Sequence, residues 1–155
     1  MQSSEFDRID ISILKKLQKN GRLSNVQLAE AVGLSESACL RRVKLLEESG
    51  IIDRYVMLIN QIAIGKPDNV FVMVTLEGQQ REKLSEFEAA VSKVPEVMEC
   101  YLMAGEFDYL LRVITRDNVD YGRVHNTLTS LPGVMRVQSS FALKTVLERT
   151  EMPLD

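Results

Sequence analysis

Two stretches of this chain repeat one another at a fixed offset of 37 residues, and that repeat limits the possible folds more than any other feature. Leu84, Phe87, Val91, Val94, Pro95, Val97 and Met98 fall onto Tyr121, Val124, Leu128, Leu131, Pro132, Val134 and Met135. In each copy apolar residues recur at helical spacing, stop at a Pro, and give way to a β-rich run. Two copies of a split unit predict β-α-β-β-α-β, an α+β ferredoxin-like arrangement with both helices on one face of a four-stranded antiparallel sheet. Strands are expected at Val70–Leu76, Val97–Met103, Tyr109–Thr115 and Val134–Leu143. The sheet face away from the helices is expected to carry Phe71, Met73, Tyr101, Met103, Leu111 and Val113. An apolar face of that size needs a cover, most simply a second copy of the chain.

The period is different before residue 59. Ile9, Ile13, Leu14 and Leu17 follow Asp7 and Asp10, either of which can cap a first helix that ends at Asn20-Gly21. Asn25–Lys44 then reads NVQLAEAVGLSESACLRRVK. A short helix capped by Ser24 runs to Val32, Gly33 makes a tight turn, and Ser35 caps a third helix that stops at Gly50. This is the sequence form of a helix-turn-helix, whose second helix commonly enters a DNA groove. At about 100° per residue, Cys39, Val43 and Leu46 face inward. Ser37, Arg41, Lys44 and Glu48 fall on the opposite side, with Ala38 at its margin. Arg42 lies nearer the buried edge, suited to a phosphate or an internal acidic partner. Basic residues on a helix are often only a solvated face, but the turn and the small residues before them favour DNA. Ile51–Val56 reads as a short strand, a small wing with Arg54 near the DNA backbone.

Charge supports the same division. Residues 1–66 carry ten Lys/Arg against eight Asp/Glu, and residues 67–155 carry nine against fourteen. A mildly basic first part and an acidic second part suit a DNA reader joined to a separate domain. The expected layout is a winged helix-turn-helix domain at 1–58 (motif 25–44), a linker at 59–69 containing Gly65, Lys66 and Pro67, and a sheet domain at 70–155. Cys39 and Cys100 are 61 positions apart and belong to no ligand-spaced pair. With no signal peptide and no apolar run near 18 residues, a cytoplasmic protein with reduced thiols is expected. Cys39 reads as a small buried side chain. No metal or cofactor is expected.

Between the second and third strands lies Ala104-Gly105-Glu106-Phe107-Asp108-Tyr109. Gly105 can expose backbone amides to an anion such as a carboxylate, and Asp108 can take an ammonium group. Taken alone, the segment reads more simply as a hairpin turn.

From about Phe6 to Leu147 the chain resembles the leucine-responsive regulator/AsnC family, also called feast/famine regulators. The resemblance is carried by NVQLAEAVGLSESACLRRVKLLEESGII at Asn25–Ile52, GEFDYLLRV at Gly105–Val113 and LPGV at Leu131–Val134. It implies a winged helix-turn-helix joined to a ferredoxin-like effector domain, dimers formed through the sheets, and dimers often assembled into octamers. It implies an amino-acid effector between dimers, its carboxylate on backbone around Gly105–Asp108, near Glu106, Phe107 and Tyr109. Asp117, Ser139 and Ser140 would supply a polar second side, Ser139 and Ser140 standing on a strand where other members carry threonines. Tyr101, Met103 and Phe107 favour an uncharged effector such as leucine or methionine. The recognition helix also departs from many members, with Glu36, Ser37 and Ala38 in place of a Pro-containing run.

The expected function is therefore an amino-acid-responsive transcription regulator of amino-acid metabolism, binding double-stranded DNA as a dimer or higher oligomer, without a membrane role. The rival is an enzyme of the tetrapyrrole-decarboxylase type. His125 is the chain's only histidine and falls on an exposed helix flank, which gives acid-base chemistry little to use. No Gly-rich phosphate loop, metal-spaced cluster or nucleophile elbow is present. A third reading is an architectural DNA-binding protein that senses no effector.

Overall fold

The computed structural model of the chain describes residues 7–155. The expected first domain and the resemblance starting at Phe6 both begin outside the described residues. The described residues form two compact units: 7–58 with 146–155, and 59–145.

In the helical unit, Asp7 is the cap that starts α1 (Arg8–Lys19), its Oδ1 accepting from the amides of Ile9 and Asp10 at 2.8 Å each. Ser24 and Gln27 form a reciprocal capping box at the start of α2 (Asn25–Val32). Gly33 closes α2 at φ 72°, a left-handed backbone that costs glycine least. Ser35 caps α3 (Glu36–Glu48) through the Ala38 amide. Ile13, Leu14, Leu28, Ala29, Cys39 and Leu46 form the buried centre, with Val43, Ile51 and Ile52 packed around it. Cys39 is fully buried, as its inward position on α3 required.

Two expectations fail in this unit. Ile51–Val56 forms no strand. The amides of Ile51 and Ile52 both donate to the Leu46 carbonyl at 3.1 Å, so a helix-terminating turn draws both isoleucines into the helical core. Tyr55 then donates to Glu47 Oε1 at 2.9 Å, which fastens the segment to α3. The second failure concerns the tail. Residues 146–155 were expected in the sheet domain but belong to the helical unit. Met152 pairs through its backbone with the Gln18 side-chain amide, and Leu154 packs against the helical core. The apolar side chain finds a core to join there, and the backbone finds hydrogen-bond partners.

The second unit follows the repeat. Its elements are β1 (Asp68–Leu76), α4 (Arg81–Val91), β2 (Val97–Leu102), β3 (Tyr109–Thr115), α5 (Asn118–Thr129) and β4 (Val134–Phe141). The starts of α4 and α5, and of β2 and β4, are again 37 residues apart. Strand order is β2-β3-β1-β4, with every neighbouring pair antiparallel. Val70, Val72, Val74, Phe87, Tyr109, Leu111, Val113, Val124 and Leu128 form the core between sheet and helices.

Leu111 and Val113 were assigned to the outer face, and both are 0% exposed on the inner one. Parity explains the error. Successive residues of a strand face opposite sides, and buried Tyr109 puts Leu111 and Val113 beside it on the helix side. The outer positions of β3 are Leu110, Arg112 and Ile114. Phe71 and Met73 lie opposite Arg112 and Leu110 across the β1–β3 pairing, and Tyr101 opposite Leu110 on β2. Arg112 donates to Glu99 Oε1 at 3.0 Å and to Asn69 Oδ1 at 3.1 Å. The outer face is thus apolar around a fixed charged pair.

Candidate nucleic-acid and effector interfaces

The amphipathic division of α3 is realised in three dimensions. Cys39 and Leu46 point into the core, whereas Glu36, Ser37, Arg41, Lys44 and Glu48 are exposed and Ala38 is half-buried. Ser35 and Ser37 hydroxyls stand 3.4 Å apart at the exposed start of the helix. Asn25 Nδ2 donates to the Glu36 carbonyl at 2.8 Å, tying the first turn of α2 to the first turn of α3. That bond links the two helices beside the exposed start of α3. Sequence reading missed it, because nothing in the spacing marks an Asn side chain for a carbonyl eleven residues on. Arg41 and Lys44 make no ion pair among the described residues, so both charges are open to phosphate or base edges.

Adjacent Arg42 is otherwise engaged. Its Nη1 donates to Asp7 Oδ2 at 2.7 Å and to Asp10 Oδ1 at 2.8 Å. These bonds raise the arginine's pKa further, while the Asp10 amide first and Arg42 next hold Asp7 below the usual carboxylate range. Arg42 therefore leaves the set of DNA-contacting candidates. One residue of helical rotation carries it to the α1 side, where the internal acidic partners of the two alternatives claim it. Arg54 is exposed and pairs with neighbouring Asp53 at 3.2 Å. With no strand at 51–56, Arg54 stands on no wing.

The second candidate site is the bend between β2 and β3. Gly105 has φ 148°, and a Cβ built there meets nothing within 4 Å, so the space before it is open. The amides of Ala104, Gly105, Glu106 and Phe107 find no acceptor among the described residues, whereas those of Met103 and Asp108 bond Asp108 and Val74 carbonyls. Four amides without an acceptor on either side of one glycine leave backbone donors available to an anion. Tyr101, Met103, Gly105 and Glu106 are exposed, and Phe107 is half-buried.

The remaining effector candidates are held by the fold. Asp108 is buried, with Oδ2 accepting from the Leu76 amide and Oδ1 from Gln79 Nε2, each at 2.7 Å. Its carboxylate pins the bend to the end of β1, and at 6% exposure it is turned into the fold instead of toward an ammonium group in solvent. Tyr109 is 1% exposed, its ring tilted against Phe87 at 4.6 Å and its hydroxyl donating to Glu88 Oε1 at 2.7 Å, so it is core. Burial, then Glu88, pushes its phenol well above the usual range. Asp117 caps α5 through the Asp120 amide at 2.8 Å. Ser139 faces the helix side and bonds the Tyr121 hydroxyl, while Ser140 pairs opposite outer-face Phe71. Strand alternation puts the two serines on opposite sides of the sheet, so they cannot line one polar wall.

A charged cluster at the start of α5 also went unread. Arg123 bridges Glu96 and Asp120, and Arg116 reaches the other Asp120 oxygen at 3.5 Å. The Arg116 amide, followed by Arg123, draws Asp120 down to about 2. A cavity of about 340 Å³ lies between α4 and β2, lined by Glu88, Val91, Cys100, Leu102 and Tyr109 among others. Desolvation within that setting, then Glu88, pushes the Cys100 thiol up to about 11, unsuited to nucleophilic work. His125 is half-buried rather than solvated, its ring edge-to-face with Tyr121 at 6.0 Å. Among the described residues no three His, Cys, Asp or Glu side chains gather as a metal site, and no helix is long and apolar enough to cross a membrane.

A helix-turn-helix head joined to a ferredoxin-like sheet defines a two-domain, ligand-responsive DNA-binding class. Comparison with known proteins gives that class its family. Residues 6–53 match the winged helix-turn-helix DNA-binding family, and residues 69–152 match the Lrp/AsnC ligand binding domain. The Bkd operon transcriptional regulator of Pseudomonas aeruginosa is 43% identical over 152 residues, covering 97% of this chain and 99% of that protein. The leucine-responsive regulatory protein of Salmonella typhimurium is 40% identical, covering 96% of this chain and 91% of its own. The crystal structure of a Neisseria meningitidis transcriptional regulator in complex with L-Met superposes with a TM-score of 0.91, at 41% identity and 97% coverage of both chains. An AsnC family transcriptional regulator from Agrobacterium tumefaciens also gives 0.91, at 36% identity over 96% of this chain and 97% of the other. The chain belongs to the Lrp/AsnC family of transcriptional regulators. It is a DNA-binding regulator with a ligand-binding domain rather than an enzyme, and the decarboxylase alternative falls with that finding.

Proposed function

We propose that this chain regulates genes of amino-acid metabolism, binding operator DNA as a dimer or larger assembly and responding to an uncharged amino acid such as leucine or methionine. The observation that carries the reading is the division of α3, with Cys39 and Leu46 buried and Arg41 and Lys44 in solvent without ion pairs among the described residues. Ser35, Glu36, Ser37 and Ala38 would meet the groove beside them. The effector half is supported by the four free amides around Gly105, and by relatives named for leucine response or solved with L-Met. With Asp108 closed, the effector's carboxylate would be held by backbone, and its side chain by Tyr101, Met103 and Phe107.

Self-association through the outer sheet face would cover Phe71, Met73 and Tyr101, and four such dimers would make an octamer able to bend DNA. A role on DNA would place its work in the cytoplasm. The effector can shift only the assembly it binds better, by its differential affinity. A thermal-shift screen against the twenty amino acids, followed by sizing chromatography and operator gel shifts with each hit, tests the reading. A stabilising amino acid that also changes operator affinity is expected. Tight, salt-sensitive DNA binding with no response to any amino acid would leave the architectural alternative standing.

A further inference from the structure

The tail's place in the helical unit has a consequence for regulation, because the chain passes between the two units twice. Residues 59–145 are inserted between 7–58 and 146–155, and only four residues, 142–145, separate the end of β4 from the tail. The tail is held by specific bonds. Gln18 Nε2 donates to the Met152 carbonyl at 3.1 Å, and the Met152 amide donates back to Gln18 Oε1. One side-chain amide thus pairs with both polar groups of one residue, as a neighbouring strand would. Leu154 packs with Leu14, Leu17, Ile51, Ile52 and Tyr55 around a groove of about 310 Å³.

We propose that this groove on α1 is a docking site for the chain's own C-terminal segment, and that the docked segment relays the condition of β4 to the recognition helix. The links at both ends are contacts, and residues 142–151 join them through the backbone. Phe141, the last residue of β4, packs edge-on against Tyr121 at 5.0 Å, and Tyr121 bonds Ser139. The tail continues from there to Gln18 on α1. Asp7 and Asp10, at the other end of α1, hold Arg42 of α3. A change that shifts β4 therefore pulls on a tether whose far end is fixed to the helix that positions α3. The relay rests on α3 as the DNA-contacting helix; the docking does not.

The experiment uses the full chain and a duplex selected from a random pool by the wild-type protein. Hydrogen exchange of the Met152 amide is expected to quicken about ten-fold or more in Gln18→Ala. Unchanged exchange overturns the docking, and protection that fades on dilution assigns the groove to a second copy's tail instead. Phe141→Ala is then placed in the wild type and in the undocked Gln18→Ala/Leu154→Asp chain. It is expected to change duplex affinity about three-fold or more in the first and not in the second. An equal effect in both backgrounds, or none in either, overturns the relay. A wild-type chain that selects no duplex sinks the DNA-contacting role of α3 and the relay with it, while the exchange measurement still decides the docking.

Discussion

The helical unit and the sheet unit solve the burial problem differently. The three helices bury six apolar residues and draw in Ile51, Ile52 and Leu154 from segments beyond α3. The sheet unit gathers twelve into one buried cluster and still leaves Phe71, Met73 and Tyr101 on an outer face. A unit this small has little core to spare, so it recruits its flanks, while Leu40, Leu45 and Val56 stay exposed beside the charged side chains of α3. The sheet has apolar surface in excess, which suits association with a copy of itself. One unit completes its core from its flanks, and the other completes it from its own helices and strands.

Core truncation gives the largest test of that contrast. Phe87→Ala removes a fully buried ring and is expected to cost about 3–5 kcal/mol, and Ile13→Ala about 2–5 kcal/mol. Denaturant unfolding followed by hydrogen exchange should show each loss confined to its own unit; a shared loss would mean that the two cores are not independent. Next come the adjacent arginines. Arg41→Ala is expected to weaken operator binding by about 1–3 kcal/mol if it reads a base, with stability unchanged. Arg42→Ala should instead lower the unfolding midpoint of the helical unit, since it strips Asp7 and Asp10 of their partner. Equal loss of operator affinity in gel-shift titrations of both variants would abolish the distinction.

Gly105→Val should abolish amino-acid affinity in calorimetry while operator binding persists, because a φ of 148° strains any β-branched residue. Unaltered affinity would remove the β2–β3 bend from the site. The smallest effect concerns pH. Asp120 titrates near 2 in the fold, below its ordinary value of 3.8. A depressed carboxylate contributes stability above its unfolded pKa and loses it as pH falls through the folded one. The sheet unit should therefore weaken between about pH 4 and pH 2, and Asp120→Asn should flatten that part of the profile. An unaltered profile would show that the Arg116–Asp120–Arg123 cluster is not coupled to folding.

Periodicity made much of this legible. The 37-residue offset places α4 with α5 and β2 with β4, and the caps Asp7, Ser24 and Ser35 act where helical spacing begins. The same offset, carried back into the first strand of each copy, sets Val74 on Leu111 and Leu76 on Val113. It would have put both β3 residues on the helix face, so that error lay in an unread signal. The closing of Asp108 by Gln79 and Leu76 had none, because the partners are about thirty residues away and no spacing rule connects them.

Local pattern thus determined which segments are helices and strands, which side of α3 faces inward, and the pairing of the two halves, since these follow from hydrophobic spacing and backbone chemistry within a few residues. Tertiary structure alone decided that Arg42 is tied to α1 while Arg41 has no ion pair among the described residues, that Ile51 and Ile52 turn into a core instead of starting a strand, and that the last ten residues return to the helical unit. Each of those outcomes depends on which distant group comes within about 3 Å of a charge or an amide, and a linear spacing carries no information about such encounters.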